Sequence, residues 1–115
     1  MRFSVSLKQN HIFRRLYAKG ESAVGHSVVV YCRRNGLNVN RIGISVSTKL
    51  GHAVVRNKAR RRLREAYRLM EARVKPGYDI VLVARSRAVT VKFAVLEQEL
   101  LHQLQTLGVA EEADR

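Results

Sequence analysis

The groups through which this chain could run covalent or acid–base chemistry are present but badly spaced for it. His11, His26, His52 and His102 stand far apart, with no HxxxH or CxxC arrangement to hold a metal ion. Glu21 is the only acid in residues 1–64, so that half of the chain has no carboxylate pair for general acid–base work. Asp79 is isolated between Glu71 and Glu97, and at a strand entrance it reads as a salt-bridge or turn residue rather than a base. Cys32 lies alone in an apolar run, which suits a buried thiol better than a nucleophile. No glycine-rich loop of the Walker or dinucleotide type occurs. These patterns assign no catalytic residue and no metal ligand to the protein.

Positive charge, by contrast, is concentrated. Six of the nine residues from Arg56 to Arg64 are Lys or Arg. At 100° per residue, Val55, Ala59, Leu63, Ala66 and Met70 share one stripe, while Asn57, Arg60, Arg61, Arg64 and Arg68 fall opposite. The spacing predicts an amphipathic helix over about 54–75 whose wet face is cationic. Arg60 repels Arg64, and Arg64 repels Arg68, at i,i+4. Only Glu65, placed to pair with Arg61 or Arg62, and Glu71 offset this. A polyanion would relieve the repulsion; a merely solvated face or an acidic partner is the blander alternative.

The whole chain shares this bias, with a formal net charge of +13 and a pI near 11.1. Fifteen Lys or Arg precede residue 65, whereas Glu97, Glu99, Glu111, Glu112 and Asp114 gather late. A basic body therefore leads into an acidic tail over about 109–115. Its 115 residues, 46% of them hydrophobic, suffice for one folded domain, 1–115.

The elements that must position the basic helix follow from local patterns. Ser6 and Gln9 have the form of a capping box, and Gly20 can close the helix that follows. Ile12 with Leu16, and Phe13 with Tyr17, form i,i+4 pairs on adjacent strips of that helix, whose remainder carries Arg14, Arg15 and Lys19. Taken by themselves, Phe13 and Tyr17 read first as core, with a base-stacking surface as the alternative. Ser27–Arg33 and Arg41–Ser47 read as strands around an Asn35-Gly36 turn. Paired as a hairpin, they would put Val28, Val30 and Cys32 on one face. Tyr31 and Arg33 would then lie beside Gly43 and Ser45 on the other, a shallow surface for a flexible nucleic-acid strand unless Tyr31 merely shields backbone.

The loop at Lys49 leads to a helix N-terminus suited to phosphate. Pro76-Gly77 ends the basic helix, and Tyr78–Ala84 reads as a buried strand. Thr90 is the expected N-cap of a last helix with core residues Phe93, Leu96, Leu100, Leu104 and Leu107, ending at Gly108. The chain from Ala110 onward reads as a frayed tail. The order, α-β-β(-β)-α-β-α, is that of an α/β two-layer sandwich, with parallel strands flanking the basic helix. No apolar stretch approaches the ~18 to 20 residues needed to cross a bilayer, and the N-terminus lacks a signal-peptide core. The expected compartment is the cytoplasm, with no membrane and no protein partner indicated.

Gly51 to Tyr67, GHAVVRNKARRRLREAY, resembles the signature of the protein subunit of bacterial ribonuclease P, in which an Arg-Asn-Arg element opens a basic helix. NHIFRRLYAKG, VVVYCRR, RIGISVSTKLG and YDIVLVAR agree with that family in order and spacing, so the resemblance runs from about Leu7 to Leu107. It implies a ribosomal protein S5 domain 2-like fold with a left-handed crossover around the basic helix, against the general preference. It also implies a ribonucleoprotein endoribonuclease that removes the 5′ leader of precursor tRNA. By the same resemblance, Arg56, Asn57, Lys58, Arg60, Arg61, Arg64 and, more weakly, Arg68 would contact the catalytic RNA. Phe13, Tyr17 and Tyr31, with Lys49 at the edge, would line the leader cleft, and Mg²⁺ would be held through the RNA subunit. Lys58 departs from the family's third Arg, keeping the charge but losing the bidentate fork. The rival readings are a ribosomal or general RNA-binding or chaperone protein without a role in cleavage, a stand-alone nuclease, and a cationic membrane-surface helix.

Overall fold

Residues with strand propensity form a single sheet of β1 (Ser4–Ser6), β2 (Glu21–Val24), β3 (Val28–Arg34), β4 (Asn40–Ser45) and β5 (Tyr78–Ala84), in the order β1-β4-β5-β3-β2. Helices α1 (Asn10–Lys19), α2 (Ala53–Met70), the short α3 (Arg87–Thr90) and α4 (Phe93–Thr106) complete the fold. The computed structural model describes residues 4–7 and 10–111. Gln9, half of the expected capping box, and the end of the acidic tail lie outside them.

The apolar run Ile80–Leu82 is fully buried because β5 is the central strand. It pairs in parallel with β4, from Arg41↔Asp79 to Ser45↔Val83, and antiparallel with β3, from Val28↔Ala84 to Arg34↔Tyr78. The expected β3–β4 hairpin is therefore wrong, although the strands flanking the basic helix are parallel as expected. The Asn35-Gly36 turn does reverse the chain. Gly36 has φ +75°, and Asn35 Oδ1 accepts from the Leu37 N–H at 2.8 Å. The entrance of β5 fills the gap, since Asn35 N–H donates to Gly77 O and Tyr78 N–H donates to Asn40 Oδ1, both at 2.9 Å.

The sheet's two faces differ as the alternation predicts. Val28, Val30, Cys32, Ile80 and Leu82 meet Ala59, Leu63, Ala66 and Met70 of α2 and Leu96, Leu100 and Leu104 of α4. This is the two-layer sandwich. On the reverse face α1 lies alone, packing Ile12 and Leu16 with Phe13 against Tyr31, Val81 and Val83.

Three boundaries move. Helix α2 ends at Met70 rather than near 75, and a 3-10 turn, Glu71–Arg73, follows. The chain leaves the helix there because Val74 bridges to Ala110 and Lys75 N–H donates to Val109 O at 2.8 Å. For the same reason the tail is not frayed from Ala110: Val109 and Ala110 are buried, and Glu111 N–H bonds to Arg73 O. Thr90 closes α3 instead of capping the last helix, which begins at Phe93 after Lys92.

Candidate nucleic-acid interface

Burying the Ala59–Leu63–Ala66–Met70 stripe forces the opposite side of α2 outward. Lys58, Arg61, Arg64 and Arg68 are exposed there, Arg60 is half-buried, and Asn57 stands between them in exposed position. Asn57 Oδ1 accepts from Arg60 Nη1 at 3.0 Å, so the asparagine orients a guanidinium of its own face. Arg56 is half-buried at the root of the face, and its Nε has no hydrogen-bond partner. Glu65 pairs with Arg68, not with Arg61 or Arg62, through contacts of 2.9 and 2.6 Å. The pair holds the Glu65 carboxyl below its usual range, by hydrogen bonding to Arg68 first. Arg68 is thereby partly neutralised, while no carboxylate of a described residue forms an ion pair with Arg60, Arg61 or Arg64.

One arginine of the run points elsewhere. Arg62 donates to Ala88 O at 2.7 Å and to Val91 O, tying α2 to the α3–α4 connection. Its charge reads in sequence like its neighbours', but its helical angle aims it at buried carbonyls.

A cleft of about 460 Å³ opens between α1, the exit of β4 and α2. It is lined by Asn10, Phe13, Arg14, Tyr17, Ile44, Ser45, Val46 and Arg60. Phe13 lies over Gly43, and Tyr17, 43% exposed, meets Tyr31 edge-on with centroids 4.9 Å apart and planes at 75°. Tyr31 is half-buried beneath this contact and supports Tyr17 rather than lining the cleft. Lys49, exposed in the 3-10 turn Thr48–Leu50, lies beyond the lining residues. The aromatic pair of α1 and the cationic face of α2 thus share one surface, joined at Arg60. Arg14 and Asn10 also line the cleft, and in the sequence only the position of Arg14, three residues before Tyr17 on a basic helix, points to this.

Asp79, Glu99 and Cys32 are engaged or shielded, whereas His11, His26, His52 and His102 are exposed. Both Asp79 oxygens accept from Arg41, at 2.6 and 2.7 Å, as its position at the strand entrance suggests. That hydrogen bonding holds the Arg41 guanidinium above its ordinary value. Glu99 accepts from the N–H groups of Ser27 and Val28 at 2.9 and 3.0 Å. Cys32 is 2% exposed, and burial, with a smaller push from Glu21, raises its thiol from 9.0 to about 11. No three His, Cys, Asp or Glu among the described residues are grouped to hold a metal ion.

This combination has known counterparts. Residues 1–108 match the family model described as Ribonuclease P. The ribonuclease P protein component of Alkaliphilus oremlandii is 38% identical over 107 residues, spanning 93% of this chain and 94% of that protein. That of Thermoanaerobacter sp. is 41% identical over 96 residues, spanning 84% and 83%. Among solved structures, the RNase P protein of Staphylococcus aureus matches with a TM-score of 0.81 at 36% identity, covering 92% of this chain and 97% of that one. The RNase P protein from Thermotoga maritima matches with a TM-score of 0.76 at 32% identity, covering 84% and 92%.

Proposed function

The chain belongs to the ribonuclease P protein family, and we propose that its two joined surfaces divide the work of precursor tRNA maturation between them. It is the protein component of the ribonuclease P ribonucleoprotein, which removes the 5′ leader endonucleolytically to leave the mature tRNA 5′ end. In this reading the exposed face of α2, with Lys58, Arg60, Arg61 and Arg64, lies against the catalytic RNA. Asn57 orients Arg60, Arg56 adds its positive charge at the root of the face while its Nε stays buried, and Arg68, held by Glu65, contributes less. The leader runs through the cleft, with a base against Phe13 or Tyr17, worth about 1–3 kcal/mol per stacked base. Lys49 meets the leader's phosphates farther along. The observation that carries this reading is the cleft itself, in which Arg60 of the basic helix and the aromatics of α1 line the same walls.

Hydrolysis is assigned to Mg²⁺ held by the RNA subunit: among the described residues no three His, Cys, Asp or Glu are grouped to hold a metal ion, and Asp79, Glu65 and Glu99 are committed to Arg41, Arg68 and backbone N–H groups. Bound Mg²⁺ supplies an activated water and charge neutralisation at the scissile phosphate. The protein contributes cationic screening between RNA segments and a seat for the leader. In the same reading the protein acts in the cytoplasm, where a bacterial precursor tRNA is made.

The test is cleavage of a precursor tRNA at low millimolar Mg²⁺ by protein alone, cognate RNA alone, and both. Cleavage at the mature 5′ end is expected only in the mixture, and an Arg60→Ala/Arg61→Ala/Arg64→Ala variant should need more Mg²⁺ to reach the same rate. Tight RNA binding without stimulation of cleavage would instead favour a general RNA-binding protein.

A further inference from the structure

Helix α1 has a second flank. His11 and Arg15, an i,i+4 pair on that strip, face a concavity of about 330 Å³ whose floor includes Arg33, Arg41 and Asp79 and whose rim includes Arg34. Cross-strand pairing sets the floor. Arg33 and Arg41 are both in register with Asp79, one on each side of the central strand, so the three side chains rise in a row on the face that α1 covers. The single acid in this row is already spent. Its two oxygens accept from Arg41, and Oδ1 also accepts from Asn35 Nδ2 at 3.1 Å. Arg15 and Arg33 are exposed and form no ion pair with a described carboxylate. Cations converge here on a concave surface with nothing of opposite sign left to meet them, and an exposed cation with no such geometric reason would sooner point apart from its like.

This is a different place from the leader cleft. Phe13, Arg14 and Tyr17 leave α1 on the other flank, toward Ser45 and Arg60. Along β4, Arg41 and Ser45 are four residues apart, about 13 Å of strand, too far for the two sides to share one phosphate.

We propose that this second concavity seats backbone phosphates of a further RNA segment, so that α1 is a ridge with RNA on both sides. The inference rests on the reading that the partner is RNA. Its ligand is a phosphodiester, which either the catalytic RNA or the precursor tRNA could supply.

An Arg15→Ala/Arg33→Ala variant tests it, with Arg15→Lys/Arg33→Lys as the charge-keeping control. Affinity for the cognate catalytic RNA is measured across a salt series, and so is the affinity of the assembled complex for precursor tRNA and for mature tRNA. The Ala pair should lose affinity about tenfold or more in one arm. In that arm the slope of log affinity against log salt should flatten by about one and a half, and the Lys pair should restore most of it. Loss in the first arm identifies the catalytic RNA as the source; loss in the second identifies the substrate. Unchanged affinities and slopes in every arm would overturn the inference, and the proposed function would stand if the Arg60, Arg61, Arg64 triple variant lost binding in the same assays. Failure of the wild-type protein to bind the catalytic RNA would remove the reading and the inference together.

Discussion

A Cβ built on Gly43 would lie 2.4 Å from Cε1 of Phe13, so the ring's seat exists because β4 carries no side chain there. Gly43→Ala must push Phe13 off the sheet, at a cost of about 1–3 kcal/mol for overpacking. The expected result is a complex that still assembles with the catalytic RNA but discriminates less between precursor and mature tRNA. Retained discrimination, measured as the ratio of the two affinities, would show that the ring's position does not matter to the leader. Cys32 yields a pH prediction. Its thiol titrates near 11 when folded, against 9.0 unperturbed. Between those values the unfolded chain has released a proton that the folded one retains, so stability is intact below about pH 9 and falls toward 11, by up to about 2–3 kcal/mol. Urea unfolding at pH 8 and pH 10.5 should show a smaller drop for Cys32→Ala than for wild type. Equal drops would mean that the thiol takes no part.

Within helix α2, Arg62 and Arg64 carry the same charge but leave the helix in different directions and do different work. Arg62→Ala removes two donors from the carbonyls of Ala88 and Val91 and should cost about 1–3 kcal/mol of stability with little change in RNA affinity. Arg64→Ala should do the reverse, since its side chain is exposed and makes no hydrogen bond or ion pair within the described protein. Denaturant midpoints and RNA titrations on the two variants decide this, and parallel effects would refute the division. Here the limits of sequence reading are visible. The period of α2 revealed its buried stripe, because burial and solvation repeat with the helix. It could not reveal that Arg62 meets a segment 26 residues onward. The alternation in β3 and β4 marks each strand's faces correctly but not which strand lies beside which, because the strand between them arrives 33 residues after β4 ends. Spacing puts Phe13 and Tyr17 on one strip of α1 but reads them first as core, and only the family resemblance places them in a cleft; that Tyr31 backs Tyr17 depends on a contact that the packing of α1 on the sheet creates.

At the scale of the molecule, a net charge of +13 is held within a Cα radius of gyration of 13.2 Å. The unfolded chain, roughly two and a half times as wide, spreads the same charges farther apart, so self-repulsion favours unfolding and the free protein is less stable than its core alone would make it. Two mechanisms can offset this, and they differ in what they require. Screening acts on all exposed charges and depends only on ionic strength. Site binding requires converging donors, as on the α2 face and in the cleft, and favours anions shaped like phosphate. Thermal melts in chloride and in sulfate at equal ionic strength, run on wild type and on the Arg60→Ala/Arg61→Ala/Arg64→Ala variant, separate the two, because the general stabilisation by sulfate acts on both proteins alike. If these surfaces are built for phosphates, sulfate should raise the melting temperature several degrees beyond chloride, about 4 °C for each kcal/mol gained. The excess should shrink in the Arg60→Ala/Arg61→Ala/Arg64→Ala variant, which still benefits from screening. Identical melts in the two salts would mean that the cations are merely dispersed over the surface. They would then be too far apart to grip a single anion, and the protein's affinity for RNA would rest on its net charge.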